Sequence, residues 1–378
     1  MDFDLTDAQR MIRDMAREFA ENEVRPLAAE IDRTDEFPWK LFTRMGELGL
    51  LGMTLPEEYG GSGADTVSWS LVEEELARAS AAVADAQLLS KLMGDMIFRN
   101  GTEAQRRKYL PSLARGEKIC AIAQTEPGTG SDVASIQTTA RRERGGYVLN
   151  GTKRFITAAG VCQMAIVVAT VDRAEGRRGI TLFIVEEGTQ GFSRGSKDSL
   201  MGVRGLATGE LVFEDCFVPE ENRLGPEGEG FKLAMISLDS GRIGIGSQAL
   251  GLAQAAMEEA IRYAKGRVAF GQPIANFQAI QFMIADMSME IEAARLMLRK
   301  AAFLRDQGRP FSRESAEAKL FASEVLGRVV TDALQIHGAY GYSTEFPIER
   351  IYRDAKLYQI WEGTSQIQRL VIARHLLR

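Results

Sequence analysis

Apolar residues recur at spacings of three to five from Ala8 through Met11, Ile12, Met15 and Phe19 to Val24, and Thr6 stands where a helix would be capped. Pro26 does not obviously end the pattern, so a kink is allowed there. Helices are predicted over 38–48, 66–79, 85–99 and 102–113, with a glycine-rich loop over 49–63. The last of these turns Glu103, Arg106 and Arg107 to a wet face. Near Ile119 the period changes, and Pro127, Gly128 and Gly130 break any helix. Residues 147–151 read as a strand running into a turn, and 164–170, 180–185 and 210–213 are further β-rich runs. Helices of roughly 10–15 residues do not separate these strands, which excludes a doubly wound nucleotide-binding unit. From Gly228 the helical period returns over 231–265, 277–305, 314–336 and 364–377. The expectation is an α+β chain. It has an all-α N-terminal domain (1–118), a central β-barrel or sandwich domain (119–226) and a C-terminal four-helix bundle (227–378).

A length of 378 residues accommodates two or three such cores. A net charge of -6 argues against nucleic acid as the main partner. The acidic start, Asp2 and Asp4, lacks a signal pattern, and no apolar run reaches membrane-spanning length. Cys120, Cys162 and Cys216 are far apart, and with His337 and His375 the only histidines, no metal site is expected. These features fit a cytoplasmic enzyme or binding protein.

The segment from Tyr358 to Arg369 places one carboxylate, Glu362, before a Gly363-Thr364-Ser365 run that should begin a helix. A base beside helix-starting amides that polarise a carbonyl is suited to removing a proton α to it; a helix-starting Glu that favours the dipole reads the same way. Residues 124–132 form a loop rich in backbone donors, with hydroxyls at Thr125 and Ser131 and glycine at 130. It lacks the Gly-Lys of a Walker A loop, and Val133 stands where GxGxxG needs its last glycine. Phe155 and Thr157, two apart, share a strand face and could stack on and bond a planar heterocycle, or simply pack. Gly241, Gly244 and Gly246 each cost roughly 1 kcal/mol in a helix, so a helix or ligand must approach closely. Asp239 and Arg242 share a face, as a site pair or a surface ion pair. Arg267 and Phe270 mark a bend between long helices. His337 follows Gln335 at a helix end and reads as a packing histidine.

Taken in this order, residues 125–132, 155–157, 238–244, 267–271, 335–338 and 361–368 resemble the acyl-CoA dehydrogenases over essentially the whole chain, most of all the short-chain, butyryl-type members. The resemblance implies fatty acid metabolism and a tightly bound FAD. Gln124, Thr125, Gly130, Ser131, Phe155, Thr157, Thr364 and Gln366 would touch it, while Arg267, Phe270, Gln335 and Gly338 reach the FAD of a neighbouring subunit in a homotetramer built as a dimer of dimers. Ser131, Asp239, Arg242, Trp361 and Gly363 would contact the acyl-CoA. Glu362 would remove the α proton of a short, branched or cyclic acyl thioester as hydride passes from Cβ to flavin N5, giving the trans-2-enoyl product. Its amide would polarise the thioester carbonyl, and its pKa would be raised by burial. Electrons would leave to an electron-transfer flavoprotein. Phe155 in place of the usual Trp, Ala339 in place of a second glycine, and Val83 where glutaryl-type members carry Arg are departures. The last argues against a dicarboxylate held by that Arg; Asp85, Gln87 and Lys91 could instead form a polar pocket, or be helix surface. Two other readings are a dehydrogenase of carrier-protein-bound acyl or aminoacyl groups and a non-catalytic flavin-fold protein.

Overall fold

A computed structural model of the chain describes residues 4–377. The Thr6 hydroxyl accepts from Gln9 N–H and the Gln9 side chain answers to the Thr6 amide, a reciprocal cap that opens α1 (Asp7–Phe19). Ahead of Pro26 the helix widens into a π turn over Ala20–Val24, with Arg25 N–H reaching the Ala20 carbonyl. It then tightens to a 3-10 turn over Arg25–Leu27 and resumes as α2 (Ala28–Thr34). The proline is thus absorbed as an irregular stretch. α3 (Trp39–Glu47), α4 (Thr66–Ala79), α5 (Ala81–Asn100) and α6 (Glu103–Ala114) follow. The extended Ser80 ends α4 and caps α5, so α5 begins four residues before the predicted 85. Every residue of α5 from Ala81 to Ile97 is buried, including Asp85, Gln87, Lys91 and Asp95.

The central domain is one eight-stranded sheet. Its strands are β1 (Cys120–Ala123), β2 (Thr139–Glu143), β3 (Gly146–Ile156), β4 (Met164–Thr170), β5 (Ile180–Glu186), β6 (Phe192–Lys197), β7 (Gly209–Pro219) and β8 (Arg223–Leu224). The order is β6-β7-β3-β2-β4-β5-β8, with β1 also paired to β4; its two halves join through the single pair Thr139–Thr170. β3 does not turn at Gly151, as the sequence led us to expect. The strand shifts register there and continues, because a Cβ at Gly151 would lie 2.5 Å from Thr138 Oγ1 and only glycine allows that approach.

The C-terminal helices are α7 (Gly230–Gly266), α8 (Gln278–Asp306), α9 (Ser312–His337), α10 (Pro347–Ala355) and α11 (Ser365–Leu376), with a two-stranded hairpin of β9 (Val268–Ala269) and β10 (Gln272–Pro273) after α7. α7 packs on α8, α9, α4 and α5, and α11 packs on α9. Close approach explains two of the α7 glycines. A Cβ on Gly244 would lie 2.1 Å from Leu88 Cδ1 and 2.7 Å from the Trp69 ring, and one on Gly246 would lie 2.5 Å from Leu298. Among the described residues no helix is long and apolar enough to cross a membrane.

Candidate active site

A cleft of ≈ 560 Å³ opens between α5, the 124–131 loop, the end of β3, the first half of α7 and the segment entering α11. That segment is shaped by its backbone. After a 3-10 turn over Lys356–Gln359, the chain turns left-handed at Glu362 (φ 49) and Gly363 (φ 88), and Thr364 Oγ1 then caps α11 by accepting from Ile367 N–H at 3.2 Å. A left-handed glutamate is uncommon and persists only where its surroundings enforce it. Here Gln368 Nε2 donates to the Glu362 carbonyl at 3.0 Å and the Gly363 carbonyl at 2.8 Å, and buried Lys319 Nζ donates to the same Gly363 carbonyl at 2.8 Å. Glycine suits residue 363, where φ is 88 and a Cβ would stand 2.7 Å from Gln368 Nε2.

The turn sends the Glu362 carboxylate against the backbone of α7. A Cβ on Gly241 would be 2.6 Å from Glu362 Oε1, so glycine at 241 leaves room for this carboxylate where it stands. Burial pushes the Glu362 pKa up to about 7, against the opposing pull of Arg242 and Lys319. Lys319 is itself lowered to about 8 by burial. A carboxyl that changes charge near neutrality in a cleft is suited to accepting a proton. Gly241→Ala is expected to displace the carboxylate and reduce turnover by roughly 100-fold, the scale of an ångström-level misplacement. The fold of the purified variant should be unchanged, and a thermal unfolding scan and steady-state assays against wild type check both.

The predicted residues divide in two. Gln124, Thr125, Gly130, Ser131, Phe155, Thr157, Arg242, Trp361, Glu362, Gly363 and Thr364 line the cleft. The 124–131 loop is tied by reciprocal amide–carbonyl bonds between Glu126 and Thr129. The buried Glu126 carboxylate accepts from Gln137 and Thr138 N–H and from Lys153 Nζ at 2.8 Å, and Lys153 also donates to the Gln124 carbonyl at 3.0 Å. Phe155 and Thr157 reach the cleft, but not by simple strand alternation. The register shifts between Lys153 and Ile156, and Phe155 is left-handed (φ 56), which re-aims its half-exposed ring.

Arg242 and Asp239 pair, but not at the surface. Arg242 is buried, and Asp239, outside the cleft wall, accepts from it and from Ser312 Oγ at 3.0 Å. Gln366 is exposed on α11 and does not line the cleft of its own chain. Arg267, Phe270, Gln335 and Gly338 are likewise exposed and outside it; the Arg267 guanidinium lies over the Tyr340 ring at 5.7 Å. His337 packs, with Nδ1 2.7 Å from the Ala333 carbonyl and its ring stacked on Tyr263. The polar pocket considered for α5 reduces to Asp85. Gln87 donates to the Leu50 carbonyl, Lys91 faces Asp95 at 2.9 Å, and neither lines the cleft. Lys319, Gln368 and Lys153 escaped the sequence reading. Gln368 was within reach of it, six residues past Glu362 on the first turns of the same helix.

The whole chain was then compared with known proteins. The family models for the acyl-CoA dehydrogenase N-terminal, middle and C-terminal domains match residues 6–117, 121–216 and 228–377. The chain is 46% identical to the short-chain specific acyl-CoA dehydrogenase of Clostridium acetobutylicum over 100% of both chains. It superposes on butyryl-CoA dehydrogenase from Megasphaera elsdenii with a TM-score of 0.97 at 46% identity, covering 100% of each. A chain in the structural study of the electron transferring flavoprotein of Acidaminococcus fermentans gives 0.98, again at 46% identity and full coverage of both. With three domain models matched in order and near-half identity over the full length, the chain belongs to the acyl-CoA dehydrogenase family.

Proposed function

We propose that the protein is an FAD-dependent dehydrogenase of short-chain acyl-CoA thioesters in which Glu362 removes the proton from Cα. The observation that carries this reading is the Glu362 carboxylate itself, pinned by a left-handed turn, pressed on Gly241 and raised to about 7 in the cleft. The cleft's own atoms suit a flavin. Gly130 has ordinary φ and no protein atom within 4 Å of where a Cβ would stand, so the chain itself does not demand glycine there. Gln124 Oε1, Trp361 Nε1 and Arg242 Nε are buried there without hydrogen-bond partners. Gln124, Thr125, Gly130, Ser131, Phe155, Thr157 and Thr364 would hold FAD, which supplies the acceptor for the hydride that leaves Cβ. Glu362 takes the α proton, its backbone amide polarises the thioester carbonyl, and the leucines of α5 exclude water from the acyl chain.

Phe270 is 96% exposed on the hairpin after α7, Gln335 and Gly338 are exposed at the end of α9, and Arg267 at the base of the hairpin lies over Tyr340 just beyond them. That supports a second copy covering this face within an oligomer. A redox partner of the electron-transfer flavoprotein kind completes the cycle.

Anaerobic butyryl-CoA should bleach the yellow protein. Because the base must be ionised, the bleaching rate at limiting thioester should rise with pH through about 7 and level above it. Failure of every CoA ester, with bleaching by a carrier-protein-bound thioester, would overturn the CoA assignment.

A further inference from the structure

The acyl wall of the cleft is aliphatic on α5, with Leu88, Leu89, Leu92 and Met93, except for one acid, Asp85. Asp85 is 4% exposed, and among the described residues its carboxyl has no hydrogen-bond or ion-pair partner; its oxygens are not fully buried and open onto the cleft. The neighbouring buried acid shows what satisfaction looks like. Glu73 accepts from Trp69 Nε1 at 2.9 Å and from Gln248 Nε2 at 2.9 Å, and Tyr358 OH closes the group by donating to Gln248 Oε1 at 3.0 Å. Asp85, by contrast, has no such partner among the described residues and opens only onto the cleft, where a ligand would meet it.

We propose that Asp85 determines acyl specificity by donating a hydrogen bond from its carboxyl to a neutral oxygen, of the hydroxyl type, on the acyl chain of the thioester. The inference rests on the reading of Glu362 as the base. Two features favour a neutral oxygen over an ammonium. On the cleft side its neighbours along α5 are hydrocarbon, which penalises a desolvated cation, while Glu73 and Tyr358 behind it belong to the closed group described above and Glu362 faces it. Burial, and then repulsion from Glu362, push Asp85 up to about 8, so at neutral pH it is a protonated donor beside an ionisable base. The two acids thereby divide roles, one holding a proton for the substrate's oxygen and one free to accept a proton from Cα.

The test compares 4-hydroxybutyryl-CoA with its near-isostere pentanoyl-CoA, using the flavin-loaded protein, wild type, Asp85→Asn and Asp85→Leu. Wild type should prefer the hydroxyl thioester in kcat/KM by about tenfold or more. Asp85→Asn, which still donates, should keep most of that preference. Asp85→Leu should reverse it, with flavin content and a thermal unfolding scan showing that the variant is folded and loaded. Equal handling of the pair by wild type would overturn the proposal, as would preference for 4-aminobutyryl-CoA that disappears in Asp85→Asn. A shift of the pH limb in the variants with unchanged selectivity would also overturn it, reducing Asp85 to a tuner of Glu362. Loss of bleaching with every thioester, wild type included, would instead remove the reading on which the proposal stands.

Discussion

Glu362→Gln should retain its flavin and still bind butyryl-CoA, yet lose turnover by roughly 10³- to 10⁴-fold, the upper part of the range for a positioned general base. The turn that presents residue 362 is held through backbone carbonyls by Gln368 and Lys319, so an amide of the same shape leaves it intact. What disappears is the one proton acceptor pressed on Gly241. Asp85, the neighbouring acid, is raised higher still, to about 8, and is a poor substitute at neutral pH. Binding is read from the perturbation of the flavin spectrum on adding thioester, and chemistry from anaerobic bleaching. Turnover within tenfold of wild type would end the assignment of the base. Stability moves the other way. The folded pKa of Glu362 lies above its ordinary value of 4.5, so its contribution to stability is complete below about 4.5 and is lost as pH rises through about 7. At pH 8 the wild type carries a buried charge that the variant lacks, so the variant's Tm should equal or exceed wild type there.

The elements that the sequence revealed are those whose local signals agree with their environment. Thr6 caps the helix it was read to cap, α6 and α11 begin within a residue of the predicted 102 and 364, and the apolar runs of β4 and β5 are buried throughout. β2 and β6 were missed because their residues, Arg141 to Glu143 and Ser193 to Lys197, are exposed and polar, leaving no alternation to read. Asp85 and Lys91 looked like possible helix surface because charge usually marks solvent. Only the packing of α3, α4, α6 and α7 around α5 shows that this helix is interior. Glu362 was legible because its Gly-Thr-Ser neighbours form a local signature. Lys319, whose bond to Gly363 spans 44 positions, has none. The α7 glycines showed that something comes close, but not that a carboxylate meets one of them and leucines and a tryptophan the others.

Lys153→Met should cost about 3–5 kcal/mol of stability, the penalty for removing one partner of a buried ion pair. Lys153 and Glu126 are both buried, and Lys153 ties two points of the 124–131 loop, the Glu126 carboxylate and the Gln124 carbonyl. Burial works against the ionised Glu126, but Lys153 and the hydrogen bonds from Thr138 and Gln137 hold its pKa below the usual range. Its contribution to stability is therefore complete above its ordinary 4.5 and is lost as pH falls through the depressed value. Methionine fills the volume but leaves the carboxylate with two amide donors and no counter-charge, so the folded pKa of Glu126 rises and the acid limb of stability flattens. Adding Glu126→Gln removes the stranded charge and should restore part of the loss, because the amide oxygen still accepts from a neighbouring amide. Urea unfolding of the wild type, single and double variants measures this, and flavin content after dialysis measures how far the loop has loosened. A single-variant loss below about 1 kcal/mol would mean that the two amides alone satisfy Glu126, and that Lys153 is not what holds the loop against the cleft.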